Sequence, residues 1–375
     1  MDDTPHPEPP SQAIPGRGAT CSPHPRFVAA HTEQVDDGWT SPGDCSAPQT
    51  RVRTEHPKSL LTYNQSPDLP FDRTINPYRG CEHGCVYCFA RPTHAYLDLS
   101  PGLDFETRLV WKQGAADVLA RELSRPGYQC QPVQLGASTD PYQPVERRYR
   151  VTREVLETLL RFNHPVSIVT KGALIERDLD VLQALAERRL VSVAVSLTTL
   201  DDDLKRKLEP RATSGKRRLA VIEQLAGAGI PVSVLAAPII PFINDQELES
   251  LLERAADAGA GAAGYVVLRL PHELVELFDD WLRTHFPDRR QRVLNAIREL
   301  RGGRLYDASF EQRQRGSGVF AKLIARRFDL ARERLGLDAG RQFDLDTTRF
   351  SPPVGARSLR AAAPPSADDD QLALF

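Results

Sequence analysis

Nowhere in its 375 residues does this chain run to the roughly 18 consecutive apolar residues that a membrane helix requires. Its first residues lack an apolar stretch preceded by positive charge, so no secretory signal is visible. A strong charge of one sign is also missing. The 48 basic and 50 acidic residues leave a net charge of −2, a sum over unlike regions that selects no class of partner. Cysteine is scarce, and six in a chain of this length do not make a disulfide framework. These absences point to a reducing, cytoplasmic setting. No internal repeat is found beyond an alternation of strands and helices. What is present is 41% hydrophobic, enough for a substantial core in one large or two ordinary domains.

Three of the six cysteines stand together in CEHGCVYC, Cys81 to Cys88, at spacing C-x3-C-x2-C. The loop follows the polar run INPYRG and precedes Phe89. A structural zinc site closes with four ligands, and iron–sulfur clusters are also usually held by four thiolates. Three cysteines with no fourth nearby suggest a cubane cluster with one iron left open for a substrate or cofactor. The alternative is a zinc knuckle in which His83 joins Cys81, Cys85 and Cys88. Cys21 and Cys45 lie in a leader rich in Pro, Ser, Thr, Asp and Gly, expected to be disordered over residues 1–50. They read as exposed thiols or as distant ligands.

From residue 51 the texture changes. Strands are expected at Thr74 to Tyr78, Pro132 to Ala137, Val166 to Thr170, Leu190 to Leu197, Pro231 to Ala237 and Tyr265 to Leu270. Helical spacing fills the intervals, with Thr152, Asp178, Ser214 and Asn244 or Asp245 as candidate caps. The strands are apolar runs rather than strict alternations, as in a parallel sheet covered on both faces. That argues an α/β fold, open or curved into a barrel. Its polar knots follow the strands: Ser138, Thr139 and Asp140 after the second, Lys171 after the third, Ser196 and Thr198 at the fourth, then Glu209 and Arg211. Parallel α/β proteins build their sites at that rim.

After Pro271 the periodicity is helical around 272–285, 288–301 and 318–335, with many arginines, among them Arg289, Arg290, Arg292, Arg298, Arg301, Arg304, Arg313 and Arg327. They read as a solvated helix face or as a surface for phosphates. The chain ends DDDQLALF.

The cysteine loop, with Tyr87 just before its last cysteine, resembles that of the radical S-adenosylmethionine (radical SAM) superfamily. INPYRGCEHGCVYCFAR, STDPYQPVE, LEPR and IIPFIND resemble its spore photoproduct lyase-like branch, also described as DNA-repair-photolyase-like, over roughly residues 70–270. The resemblance implies a partial (βα)6 TIM-like barrel. It divides the chain into a leader at 1–50, a radical SAM core at 51–270, a helical C-terminal extension at 271–340 and a flexible tail at 341–375. It implies a [4Fe–4S] cluster on Cys81, Cys85 and Cys88, with S-adenosylmethionine chelated at the open iron. One electron, from a donor of flavodoxin or ferredoxin type, would then release a 5′-deoxyadenosyl radical. By the same analogy Lys171 and Ser196 contact S-adenosylmethionine, Ser138 or Thr139 lies near its amino group, and Tyr87 sits beside the adenine. The substrate would be a DNA lesion; a protein, RNA or small molecule, or a non-catalytic metal protein on DNA or the clamp, are the other readings. Ala137 stands where the lyase of that branch carries a hydrogen-donating cysteine, and Cys130 lies several residues earlier. No catalytic residue is assigned. Gln371 to Phe375 resembles the peptide by which DNA-repair proteins bind the sliding clamp.

Overall fold

The computed structural model describes residues 13–28, 48–310, 312–337 and 344–353. Ten strands are found among them. β1 (Arg51–Glu55), β2 (Leu61–Tyr63), β3 (Arg73–Ile75), β4 (Tyr78–Arg79) and β5 (Arg108–Lys112) come first. β6 (Val133–Leu135), β7 (Val166–Thr170), β8 (Val191–Ser196), β9 (Val232–Ile239) and β10 (Ala262–Val267) follow. The main sheet runs β10-β9-β8-β7-β6-β3-β2, parallel except for β2. Six parallel strands therefore lie in sequence order, each pair joined by a helix: Ala115–Leu123, Val151–Arg161, Leu179–Ala186, Gly215–Gly227 and Leu248–Asp257. This is the expected partial (βα)6 barrel. Registers pair Ile75 with Leu135, Leu135 with Ile168, Ile168 with Val193 and Val193 with Val232, so one layer of aliphatic side chains crosses the sheet.

Between β10 and β2 the sheet is not closed by strand pairing among the described residues. A C-terminal segment bridges the two sides instead. Val267 donates to the carbonyl of Gln314 (2.9 Å), and Arg313 Nε binds Asp68 Oδ2 (2.6 Å) on the β2–β3 connection. Helix Gly318–Arg334 shares the main core through Ile324 and Phe328, whose ring lies 4.6 Å from that of Tyr265 on β10. Helices Leu274–His285 and Pro287–Leu300 build a second core with Val86 and Tyr87 of the cysteine loop. Trp281, fully buried there, donates its indole N–H to the carbonyl of Lys207 (2.9 Å).

The structure corrects several expectations. The first strand does not run from Thr74 to Tyr78. It breaks after Ile75, because Pro77 has no N–H for a ladder, and resumes as β4, which pairs with β5 in a small sheet with β1. Thr152 does not cap its helix but lies in the first turn, its hydroxyl on the carbonyl of Pro141 (2.6 Å). Asp178 stands at the cap position with its carboxylate engaged by Arg153 and Arg177. Ser214 does cap, accepting from the N–H of Arg217 (3.4 Å). Asn244 precedes a short 3-10 turn and holds the carbonyl of Thr198 (2.8 Å). The arginines after Pro271 are partly neutralised: Arg290 by Asp279 (2.7 Å), Arg313 by Asp68, and Arg327 by Glu249 (2.6 Å). Arg301 is buried on backbone carbonyls. Residues 13–28 are not a disordered leader, since Ala19 is fully buried. No helix of the described residues is long and apolar enough to cross a membrane. Gln371 to Phe375 and Cys45 lie outside the described residues.

One buried histidine carries a pH prediction. His164 is inaccessible at the N-terminal side of β7, its ring nitrogens on the Pro165 carbonyl (2.9 Å) and the Tyr128 hydroxyl (2.8 Å). Burial pushes it down to about 4, with the Arg73 charge acting in the same direction. The unfolded chain, with an ordinary value near 6.5, binds the proton more readily. Stability from this group is therefore complete above about pH 6.5 and is lost as pH falls toward 4, by at most about 3 kcal/mol. Urea unfolding of the native chain and of His164→Gln at neutral pH and at about pH 4.5 measures it. An equal loss in both proteins would show that His164 is not the group responsible.

Candidate metal centre

The cysteine loop follows β4 through Gly80 and is held by backbone more than by side chains. Gly80 has φ +74°, and a Cβ there would lie 2.7 Å from Leu109 and 2.8 Å from the carbonyl of Phe105. Only glycine fits that turn. The N–H of Cys81 then reaches the Phe105 carbonyl (2.9 Å), and the N–H of Val86 reaches the Leu208 carbonyl (2.9 Å). Arg91, fully buried, donates to the carbonyls of Cys85 (2.8 Å), Pro101 (3.0 Å) and Gly102 (2.8 Å). Its charge is balanced by Glu106 at 2.5 Å, likewise fully buried. The other contacts of Glu106 come from the leader, through the N–H groups of Gly18 (3.1 Å) and Ala19 (2.8 Å). At Gly18 a Cβ would fall 1.8 Å from the carbonyl oxygen of Gly84, so this backbone lies flat on the loop.

Within this frame Cys81 and Cys85 are buried and Cys88 is half-buried. Burial pushes all three thiols above their usual range, Cys85 to about 12 with Glu209 adding to the rise. The charges of Lys171 and Arg218 work against it at Cys85. Thiols so placed are protonated without a metal and lose their protons when a cationic group binds. Among the described residues, no three His, Cys, Asp or Glu side chains converge as tightly as a single ion requires. His83, the fourth ligand of the zinc reading, instead turns its Nδ1 to Asp140 (3.3 Å). A three-thiol set with no fourth donor fits a cluster with one open iron and does not fit a tetrahedral zinc.

The polar groups of the other strand ends gather beside the thiols. Lys171, just beyond β7, places Nζ 2.6 Å from Ser196 Oγ, 3.3 Å from Thr198 Oγ1 and 3.8 Å from Glu209 Oε2. Its ammonium also lies 5.5 Å from the centre of the Tyr87 ring. Glu209 is inaccessible. Burial opposes its charge, but Arg218 (2.8 Å) and Lys171 hold it at about 2. The same carboxylate accepts from the Tyr87 hydroxyl (3.0 Å), and its second oxygen has no hydrogen-bond partner among the described residues. Asp140 is kept below the usual carboxylate range despite burial by His83, the Thr170 hydroxyl (2.7 Å) and the N–H of Lys171 (2.7 Å).

Ser138, Thr139, Lys171, Ser196 and Tyr87 thus lie on one rim with the cysteines, but not on equal terms. The Thr139 hydroxyl is engaged by the carbonyl of Tyr78 (3.1 Å), whereas that of Ser138 is in no hydrogen bond among the described residues. Asn76 holds the turn by accepting from the N–H of Ser138 (2.8 Å). The Tyr87 hydroxyl points to Glu209 and Thr198, so only its ring face is left for a ligand. Arg211 lies outward, on Glu82 (3.2 Å). Cys21 packs near Asp280 and against the core that holds Cys85 and Tyr87, with its thiol pushed up to about 12, chiefly by burial. Cys130 precedes β6 and so sits at the opposite end of the sheet, beside Arg73. Arg218 was not singled out from the sequence, although a signal was there: an arginine in register with Val221, Ile222 and Leu225, all buried on helix Gly215–Gly227. Arg91 and Glu106 carried no such mark.

Residues 75–255 match the radical SAM superfamily. An uncharacterized protein of Mycobacterium tuberculosis strain H37Rv is 39% identical over 314 residues, 79% of this chain and 90% of its own length. The radical SAM Nalpha-GlyT isomerase of Pseudomonas phage M6 is 26% identical over 244 residues, 64% of this chain and 45% of its own. A solved structure of spore photoproduct lyase, complexed with dinucleoside spore photoproduct, matches with a TM-score of 0.55 and 15% identity. The match covers 76% of this chain and 79% of that one, and at this identity the likeness is one of fold.

Proposed function

Because the chain belongs to the radical SAM superfamily, we propose that it is an enzyme acting on a modified base in DNA. When bound, the [4Fe–4S] cluster and S-adenosylmethionine supply one electron and a hydrogen-abstracting carbon radical. The residues of the chain bind, orient and exclude water. Cys81, Cys85 and Cys88 would hold the cluster, and the buried Arg91–Glu106 pair fixes the loop that carries them. Lys171 is the cation for the ligand's carboxylate, already aimed by Ser196 and Thr198. Ser138, with its hydroxyl free, suits the amino group better than Thr139, and Ser196 lines the same side. Tyr87 would offer its ring to the adenine. The placement of Lys171, bonded to Ser196 and 5.5 Å from the ring of Tyr87 within the cysteine loop, is the observation that carries the chemistry.

The DNA part of the reading draws support from the names of similar proteins. One is described with a dinucleoside photoproduct, and another acts on a substrate written GlyT. Ala137 gives the rim no thiol at the position where the lyase of that branch has one, so a different hydrogen return is expected here. Anaerobic reconstitution with a reduced flavodoxin or ferredoxin and an oligonucleotide of deuterated thymidines tests the whole reading. The expected product is 5′-deoxyadenosine carrying deuterium. Formation of 5′-deoxyadenosine that never acquires deuterium from any DNA, lesion-bearing or not, would remove DNA as substrate; no 5′-deoxyadenosine at full cluster loading would remove the enzyme.

A further inference from the structure

The mouth of the barrel carries aromatic rings that the chemistry above does not use. Phe27 (53% exposed), Phe89 (46%), Tyr96 (70%) and Phe310 (46%) stand open to solvent, and each is faced by an arginine. Exposed aromatics scattered singly need no explanation, but here Phe27 and Tyr96 lie 4.9 Å apart and every ring is faced by a cation. Phe89 follows Cys88 directly, and its ring lies 5.0 Å from the guanidinium of Arg269, two residues beyond β10. The loop of the first strand and the end of the last strand therefore meet at this pair, across the open side of the sheet.

On one side of it, Asp68 is ion-paired to Arg313 and also feels the charge of Arg269; the Arg313 guanidinium lies 4.7 Å from the Phe310 ring. On the other side, the turn from Arg269 reaches Glu273, which binds Arg26 Nη1 (2.8 Å). Arg26 in turn covers Phe27 at 4.7 Å and Tyr96 at 5.5 Å, rings that lie 4.9 Å apart. Arg26 and Arg313 are neutralised by carboxylates. Arg269 is in no ion pair or hydrogen bond among the described residues, and its Nε is buried without a partner.

We propose that this track of arginine-backed rings across the barrel mouth binds an unpaired stretch of DNA, with a base stacked on Phe89 and a phosphate at Arg269. Flat apolar faces suit bases, which all present a π-face, and unpaired strands alone can offer them. A free guanidinium between the rings suits the backbone that joins successive bases. A peptide would want apolar pockets or an open strand edge, whereas this border is a row of flat faces and cations. Phe89 stands next to a cluster ligand, so a base stacked there is presented to the site itself. Chemistry on a base requires that it leave the duplex stack, and a ring at this position would receive it. The inference rests on the DNA reading but goes beyond it, naming single-strandedness as the feature recognised and Phe89 and Arg269 as the residues that recognise it.

Fluorescence anisotropy with a short single-stranded DNA, its duplex and the same sequence as RNA tests it on cluster-loaded full-length protein. The single strand is expected to bind best. Phe89→Leu and Arg269→Met should each weaken it by roughly tenfold, and Phe89→Trp should retain it. Tyr96→Leu and Phe310→Leu, outside the cysteine loop, should weaken it by a smaller factor, and iron content confirms that each variant is folded and loaded. Single-strand affinity unchanged in Phe89→Leu and Arg269→Met, or a preference for duplex DNA, would overturn the track and leave the DNA reading standing, whereas a preference for RNA would overturn both. No affinity for any DNA would overturn both. Loss of binding in the variants, together with no deuterium transfer from DNA in the native enzyme, would leave the track and remove DNA as the substrate.

Discussion

Alanine at Cys81, Cys85 or Cys88 is expected to abolish the cluster, and with it all cleavage of S-adenosylmethionine, while the chain still folds. The three thiols have no spare among them. Cys130 lies at the far end of the sheet and cannot substitute. Two remaining thiolates cannot hold a cubane that already lacks a fourth ligand. The loop itself should persist, because it hangs on backbone hydrogen bonds to Phe105 and Leu208 and on the buried Arg91, none of which uses sulfur. Iron and sulfide content, visible absorbance and a thermal melt measure these separately. Retention of a full cluster in Cys85→Ala would contradict the ligand assignment. Cys130→Ala, by contrast, should change none of these readings.

Glu209→Ala is expected to destabilise the fold by about 3–5 kcal/mol, because it strands the fully buried Arg218 without a counter-charge. Among the described residues Arg218 keeps one other anchor, the carbonyl of Ser196 (2.9 Å). The loss should not be confined to stability. Glu209 also holds the Tyr87 hydroxyl and stands 3.8 Å from Lys171, so its removal loosens two groups beside the thiols. The double variant Glu209→Gln with Arg218→Met separates the two effects. Removing both charges at similar volume should restore most of the stability, since a buried ion pair replaced as a unit is often neutral. It should not restore affinity of the cluster-loaded protein for S-adenosylmethionine, because Lys171 then has no carboxylate to orient it. If denaturant melts show the double variant as unstable as the single one, the buried pair is not what Glu209 supplies. If the double variant binds S-adenosylmethionine normally, the pair is structural only.

Much of this site was legible in the sequence, and for a local reason. C-x3-C-x2-C puts three donors within one loop, so no tertiary information is needed to see that they act together. Lys171 and Ser196 were legible as well, because a polar residue directly after an apolar parallel strand falls on the ligand side of the sheet whatever the details of packing. Strand limits were less secure. The break at Pro77 was written in the sequence and was outweighed by the apolar residues on either side of it.

What could not be read were pairings between distant residues of ordinary type. Gly18 and Ala19 sit in a proline-rich leader whose composition argues for disorder. They are ordered because two N–H groups meet the buried carboxylate of Glu106, which lies 88 residues from Gly18. Composition averages over a window, whereas a buried charge needs only two donors in the right place. The arginines after Pro271 likewise have partners that the sequence leaves unassigned. Counted along the chain they form a basic surface, but Asp279, Asp68 and Glu249 neutralise several of them in space.

The sequence by itself determined the fold class, the grouping of three cysteines in one loop and the rim on which the polar groups of the strand ends gather. Each follows from a period or a spacing that survives any packing of the chain. Only the tertiary structure decided which rim residues are free to act. It tied Thr139 to a carbonyl and left Ser138 open, gave Glu209 its arginine, and brought Phe89 against Arg269 across the gap between the first and last strands. Those outcomes depend on hydrogen-bond and charge partners far apart in sequence, and the low-dielectric interior makes each such pairing decisive for the group it engages.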